Sequence, residues 1–299
     1  MTDALTGHLD PAIIAAAVAS ALDEDRAVFD VTTHTTVAPD QQGHGFFLFK
    51  QAGVLCGLDI AREAFEQLSP ELELDAFYED GDDIEDGVEV AEITGPLAAM
   101  LSAERVALNF LQRLSGIATI SRKYVEEAAA GGPTRVVDTR KTTPGLRALE
   151  RYAVRTGGAH NHRDNLQDGV LIKDNHLAAG AARGLSIAEV IALARDGVPH
   201  TLRIEVEVDT PDQAAEAIAS GADIVLLDNM SPETMRPIVE DAPVGVLFEA
   251  SGGVNLETIR AIAATGVQFV SIGTLTHSAP SLDISLDISS LDKIGRAHV

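Results

Sequence analysis

The sequence predicts an α/β protein in two parts: a compact N-terminal α/β domain over residues 1–116 and an incomplete (β/α) barrel over residues 117–277. Three observations predict it. The chain has 299 residues, which suits two domains of ordinary size. Hydrophobic residues make up 45% of it against 23% charged, which supplies packed cores and excludes a disordered polypeptide. From Arg135 onward six short apolar runs alternate with helical patterns, the later ones recurring every 21 to 23 residues from Glu207 to Asp228 to Ser251 to Gly273. That rhythm suits a parallel barrel and is tight for a doubly wound sheet with long helices.

In the N-terminal part, Asp10 before Pro11 reads as a helix cap with proline in the first turn, opening a helix over Pro11–Leu22. Gly45–Phe49, Gly53–Leu58 and Glu89–Ile93 read as strands, Ile60–Leu68 as a second helix and Glu79–Asp86 as an acidic turn. A long helix over Ser102–Ala129 carries Leu108, Leu111, Leu114 and Ile117 at three-residue spacing and leads into the barrel. Ala12–Leu22 is apolar but short, follows Asp3 and Asp10 and lacks a basic start, so it is neither a signal peptide nor a membrane span. The single cysteine, Cys56, can form neither an internal disulfide nor a multi-thiolate zinc site. It reads as apolar filler in a reducing compartment, and the expected location is the cytoplasm.

The six runs are Arg135–Asp138, Val170–Lys173, Ile204–Val208, Ile224–Leu227, Val246–Glu249 and Phe269–Ile272. Six strands fall short of the eight of a closed barrel, so the wall has a gap, or another domain or subunit closes it. The unusual polar residues cluster just past the ends of these runs: Asp138, Thr139, Arg140 and Lys141; Lys173, Asp174, Asn175 and His176; Glu207 and Asp209; Asp228 and Asn229; Ser251, Gly252 and Gly253; Gly273, with His277 beyond it. In a (β/α) barrel those ends converge on the face where active sites are built.

Charge narrows the ligand. The 22 basic and 46 acidic residues leave a formal charge of -24, which argues against a general nucleic-acid or anionic-membrane binder. Residues 135–173 invert the balance, with eight basic side chains against four acidic ones. A positive pocket in a negative protein calls for an anionic ligand. Arg140 and Arg163 are each able to grip a carboxylate with two parallel hydrogen bonds, and Lys141 and Lys173 supply point charges. Arg147, Arg151 and Arg155, at helical spacing, read instead as partners of neighbouring acids. Ser251-Gly252-Gly253, between a strand and a helical stretch from about Leu256, offers backbone N–H groups to a phosphate, and Gly273 lets backbone approach the same group. Glu207 and Asp228 read as carboxylates for a magnesium ion bound mainly through substrate phosphates, or as counter-ions to the nearby lysines.

These motifs carry a resemblance. Asp138-Thr-Arg-Lys-Thr-Thr-Pro-Gly145, Asn161-His-Arg163, Val170-Leu-Ile-Lys-Asp-Asn-His176, Glu205-Val-Glu-Val208, Leu226-Leu-Asp-Asn229, Glu249-Ala-Ser-Gly-Gly253 and Ile272-Gly-Thr-Leu-Thr-His277 resemble the quinolinate phosphoribosyltransferases. The likeness runs from about Leu22 to Ile288 with the motifs in family order. It implies an N-terminal α/β sandwich-like domain, joined by the C-terminal segment 278–293, and an incomplete barrel. It also implies a homodimer in which one subunit covers the other's barrel mouth. Glu104-Arg105-Val-Ala-Leu-Asn109 fits the pattern too, and makes Arg105 the arginine that reaches into the neighbour's site. Two departures stand out. Asp164 and Asn165 follow Arg163 where the family usually has glycine two residues on, and Ile294–Val299 reads as a non-native tail.

The resemblance implies transfer of the phosphoribosyl group of phosphoribosyl pyrophosphate to quinolinate, with decarboxylation to nicotinate mononucleotide, in NAD biosynthesis. Arg105, Thr139, Arg140, Lys141, His162 and Arg163 would hold the dicarboxylate. Lys173, Ser251, Gly252, Gly253, Gly273 and His277 would hold phosphate. Lys141, Lys173, Glu207 and Asp228 would serve catalysis, the last two beside Mg2+, for which Mn2+ substitutes. Two other readings stay open on the sequence: a Schiff-base aldolase or decarboxylase using Lys173 or Lys141, and a paralogue such as the molybdenum-locus relative, or a non-catalytic barrel.

Overall fold

The computed structural model describes residues 9–290; the tail at 294–299 lies outside them. The described residues divide into two units, the first comprising 9–122, 142–158 and 275–290 and the second 123–141 and 159–274.

In the first unit, helix α1 (Pro11–Glu24) opens as predicted, with Asp10 accepting from the Ala12 N–H at 2.8 Å. Helix α2 (Val31–Thr36) is capped in the same way by Asp30, which accepts from the Thr32 and Thr33 N–H groups. Strands β1 (Gln42–Phe49), β3 (Glu73–Ala76), β5 (Glu89–Pro96) and β12 (Ile284–Ser290) form an antiparallel sheet in the order β12-β1-β5-β3. Phe47 and Phe49 on β1 and Ile93 on β5 are buried without exposure. The C-terminal strand adds along β1, with Phe47 opposite Leu286.

Local chemistry redraws three elements. The strand expected over Gly53–Leu58 stops at Val54 (β2, Gly53–Val54), because Gly57 turns at φ 113° and helix α3 (Leu58–Glu66) begins at once. Asp80 accepts from the Gly57 and Leu58 N–H groups and so caps that start. Inside the expected acidic turn, β4 (Asp83–Ile84) pairs with β2. Helix α4 (Leu97–Ala129) begins directly after β5 and runs for 33 residues.

Residue 116, where the sequence places the domain division, falls inside α4, and segment 142–158 belongs with the first unit. Helix α5 (Arg147–Thr156) is tied there by Glu150, whose Oε1 accepts from Arg113 Nη2 at 2.8 Å, and by Tyr152, whose hydroxyl donates to Asp80 at 2.7 Å. Cys56 is buried in this unit, which suits the filler role, and burial pushes its thiol pKa up.

The second unit holds the six expected strands: β6 (Arg135–Val137), β7 (Val170–Ile172), β8 (Ile204–Val208), β9 (Ile224–Asp228), β10 (Leu247–Ser251) and β11 (Phe269–Ser271). All pair in parallel, in the order β6-β11-β10-β9-β8-β7. The edges are β6 and β7, consecutive in sequence yet unpaired with each other, so the barrel wall is open between them. Helices α6 (Asp174–Ala181), α7 (Ile187–Gly197), α8 (Pro211–Ala219), α9 (Pro232–Glu240) and α10 (Ile259–Ala263) make the crossovers, followed by α11 (Thr274–His277). Ser186, Thr210 and Ser231 cap α7, α8 and α9 with their side chains. Among the described residues no helix is long and apolar enough to cross a membrane.

Candidate active site

The site begins at the end of β6. Asp138, with no exposed surface, accepts from the His162 N–H through Oδ1 and from Asn161 Nδ2 through Oδ2, both at 2.7 Å. These two bonds clamp the loop carrying His162 and Arg163 against the strand that leads to Arg140. Arg163 donates from Nη1 to the Gly169 carbonyl at 3.1 Å. Burial, and then the neighbouring Arg140 charge, lower its pKa. The Arg140 and Arg163 guanidiniums thus lie close enough at the strand ends for their charges to interact.

The loop beyond Arg163 answers the first sequence departure. Asp168 accepts from the Asp164 N–H at 2.8 Å and from the Asn165 N–H at 3.2 Å, and neither residue takes a positive φ. The glycine of the family pattern is unnecessary in this loop.

At the next strand ends, Lys173 Nζ meets Glu207 Oε2 at 2.7 Å. Asp228, at the end of β9, accepts from its neighbour Asn229 Nδ2 at 2.7 Å. Burial first and the charge of Glu207 second raise the Asp228 pKa, with Lys173 and Lys141 opposing. The expected catalytic quartet is therefore one electrostatic group.

The glycine loop is built differently from the expectation. The helix after Ser251-Gly252-Gly253 starts only at Ile259 and has five residues, so it offers no helix terminus to a phosphate. The loop itself is shaped by positive φ angles of 87° at Gly252 and 62° at Gly253, beside Asn229 at 54°. A β-carbon on Gly252 would lie 2.2 Å from Asn229 Oδ1, so only glycine fits there. Asn229 N–H donates to the Ser251 carbonyl at 2.9 Å, joining the β9 and β10 ends. Gly273 stands just past β11, and Thr139 Oγ1 accepts from the Lys141 N–H at 3.1 Å.

Over both parts of the chain, these motifs coincide with known domain families. The quinolinate phosphoribosyl transferase N-terminal domain matches residues 30–115, and its C-terminal domain matches residues 117–287. The chain belongs to the quinolinate phosphoribosyl transferase family. A Bacillus subtilis protein named as a probable nicotinate-nucleotide pyrophosphorylase (carboxylating) is 44% identical over 266 residues, 89% of this chain and 90% of the relative. The crystal structure of NadC from Streptococcus pyogenes superposes with a TM-score of 0.89 at 40% identity, covering 95% of this chain and all of that one. The nicotinate-nucleotide pyrophosphorylase of Francisella tularensis gives 0.88 at 36% identity, covering 95% and 98%.

Within this quinolinate phosphoribosyl transferase fold, Thr139, Arg140, Lys141, His162, Arg163, Lys173, Glu207, Asp228, Ser251, Gly252, Gly253 and Gly273 all fall in the second unit. Arg105, exposed on α4, and His277, exposed at the end of α11, fall in the first. Of the arginines read as structural, Arg147 donates to Thr142 Oγ1 at 3.1 Å and Arg155 lies 5.9 Å from the Tyr152 ring centre.

Two residues inside the quoted motifs carry more than the sequence reading gave them. Glu205 and Glu249 are 5% and 3% exposed, and their Oε2 atoms stand 3.3 and 3.5 Å from His162 Nε2. Burial alone would lower the His162 pKa, but hydrogen bonds and charge from Glu205 and Glu249 outweigh it and raise it, which favours a proton on the Nε2 that faces them. Burial raises the Glu205 pKa, and Glu249 adds to the effect. The sequence signal was available: a glutamate in the middle of an apolar parallel strand is an anomaly that demands a partner.

Proposed function

We infer that this chain transfers the phosphoribosyl group of phosphoribosyl pyrophosphate to the ring nitrogen of quinolinate, releasing pyrophosphate and carbon dioxide and leaving nicotinate mononucleotide. The observation that carries the reading is the Arg140–Arg163 pair at the mouth of a sheet whose strand-end motifs follow the family in order. Quinolinate brings two adjacent ring carboxylates, and a paired guanidinium pocket matches that charge. Arg140 and Arg163 hold the carboxylates, with Thr139, Lys141 and His162 around them and Arg105 supplied by a second copy of the chain. Lys173 and the Ser251, Gly252, Gly253 and Gly273 backbone meet the phosphates of the donor, and His277 joins them. Fixed cations lower the barrier by holding both anions in line and by stabilising the departing pyrophosphate charge.

Glu207 and Asp228 fit the magnesium that the family implies. They are hard oxygen donors at neighbouring strand ends, where burial first and the Glu207 charge second raise the Asp228 pKa. When bound, Mg2+ or Mn2+ neutralises the pyrophosphate that leaves. Lys173 donates to Glu207 at 2.7 Å, a pairing that suits phosphate binding and opposes a Schiff-base role. We place the enzyme in the cytoplasm as a homodimer with a shared site.

The test is incubation of the purified chain with quinolinate and phosphoribosyl pyrophosphate. Release of nicotinate mononucleotide, identified by mass, with one equivalent of carbon dioxide supports the reading; no product with magnesium present overturns it.

A further inference from the structure

We propose that Glu205 and Glu249 are positioning residues for quinolinate recognition, acting through His162 on Arg163. The proposal rests on the reading above, in which Arg163 grips a ring carboxylate. Glu205 sits between Ile204 and Val206 on β8, and Glu249 between Phe248 and Ala250 on β10; all four neighbours are buried. Both carboxylates turn one oxygen to the same atom, His162 Nε2. The other oxygen of each, Oε1, is buried with no hydrogen-bond partner. Two half-satisfied carboxylates inside a barrel cost folding free energy, and apolar residues would pack there more cheaply. What they provide is orientation.

The geometry of the ring shows what is oriented. The Arg163 backbone N–H donates to His162 Nδ1 at 2.7 Å, so that nitrogen accepts and the ring proton sits on Nε2, aimed between the two carboxylates. Asp138 holds the same loop at Asn161 and at the His162 N–H. Three consecutive residues are thereby fixed, and the imidazole is the strut between the barrel interior and the Arg163 main chain. Without the glutamates the ring is free to turn, Nδ1 leaves the Arg163 amide, and the guanidinium loses its fixed root. The loss falls on carboxylate binding, not on the ribose end.

The experiment is steady-state kinetics with each substrate varied in turn, on Glu249→Gln, Glu205→Gln, His162→Ala, Arg163→Ala and the His162→Ala/Glu249→Gln double variant. Glu249→Gln is expected to raise the KM for quinolinate roughly tenfold, the scale of one buried charged hydrogen bond, with kcat and the KM for phosphoribosyl pyrophosphate within about twofold. Added to His162→Ala it should change nothing further, because its effect passes through the ring. Additive losses in the double variant, or equal losses in kcat and both KM values, would overturn the proposal. So would an equivalent of zinc or manganese that copurifies with the wild type and is lost from Glu249→Gln, since His162, Glu205 and Glu249 place their ligating atoms within 4.8 Å of one another. The cycle needs only one of the glutamates, so a Glu205→Gln chain that fails to fold leaves it standing. If Arg163→Ala itself leaves the quinolinate KM unchanged, the carboxylate reading fails instead, a distinguishable outcome.

Discussion

Lys173 reaches from the end of β7 to Glu207 on the neighbouring strand β8, its Nζ 2.7 Å from Oε2, so the lysine read as a phosphate ligand already holds one of the two carboxylates read as metal ligands. A polyanionic leaving group compels that pair to separate or to share a cation. Chelation is therefore expected to abolish turnover, and magnesium or manganese to restore it. Glu207→Gln with Asp228→Asn should raise the metal concentration needed for half-maximal rate while leaving quinolinate binding, followed by calorimetry, nearly intact. Full activity in excess chelator would make both acids simple counter-ions to Lys141 and Lys173.

Arg140 is predicted to matter through charge that the ligand completes. Arg140→Ala should cost roughly 2 to 5 kcal/mol in quinolinate binding, the range for truncating one partner of a buried charge pair. Arg195, whose half-exposed pair with Asp223 spans 2.8 Å on the outer surface of the second unit, is the control. Its removal should cost at most about 1 kcal/mol of stability and leave the quinolinate affinity alone. Equal effects on binding would remove the reason for placing Arg140 in the pocket.

Arg105 lies on α4, in the first unit, while Lys173 lies in the second. If each site draws on two chains, Arg105→Ala and Lys173→Ala proteins, inactive alone, should regain part of the activity when mixed as a verified heterodimer. One kind of mixed site then holds both intact side chains. No recovery would mean that each site is built within one chain.

Glu150 anchors α5 in the first unit. Its side chain is 1% exposed, and it accepts from Arg113, from the Thr143 N–H at 3.0 Å and from the Thr143 hydroxyl at 2.8 Å. Glu150→Ala leaves the Arg113 charge without its carboxylate and should cost about 3 to 5 kcal/mol of stability in chemical denaturation. A loss below about 1 kcal/mol would show the pair to be as weak as a surface bridge.

Asp30 gives a pH-dependent contribution with a definite sign. Hydrogen bonds from the Thr33 side chain and backbone, helped by Ser102 and Thr32, hold its pKa below the usual 3.8. A lowered folded pKa means stability that is present above the unfolded value and lost as pH falls through the folded one. Asp30→Ala should cost about 1 kcal/mol at pH 7, the usual size for a helix cap. That difference should shrink as the pH drops below about 4. A gap between wild type and variant that is constant down to pH 2 would assign the loss to something other than the charge.

The barrel was legible because apolar strands buried on both faces leave a periodic trace: all six runs from Arg135 to Ile272 became strands within a residue or two of their expected bounds. The first part was less legible where a single glycine or cap decided the outcome. Val54 and Leu58 lie in one apolar run, and only the left-handed turn at Gly57, held by Asp80 from 23 residues away, separates strand from helix.

By itself the sequence determined the α/β class, the six parallel strands, the family and the strand-end residues, because each follows from local pattern and from residue types that charge chemistry restricts. Only the tertiary structure decided which side chains share a proton or an ion. Glu205 and Glu249 stand 44 positions apart in sequence and meet at His162 because strands β8 and β10 flank β9 in the barrel wall. The same folding converts Ser251-Gly252-Gly253 from an expected helix terminus into a loop shaped by its contact with Asn229. The reason is physical: electrostatic partnership falls off over a few ångströms in space and carries no signature along the chain.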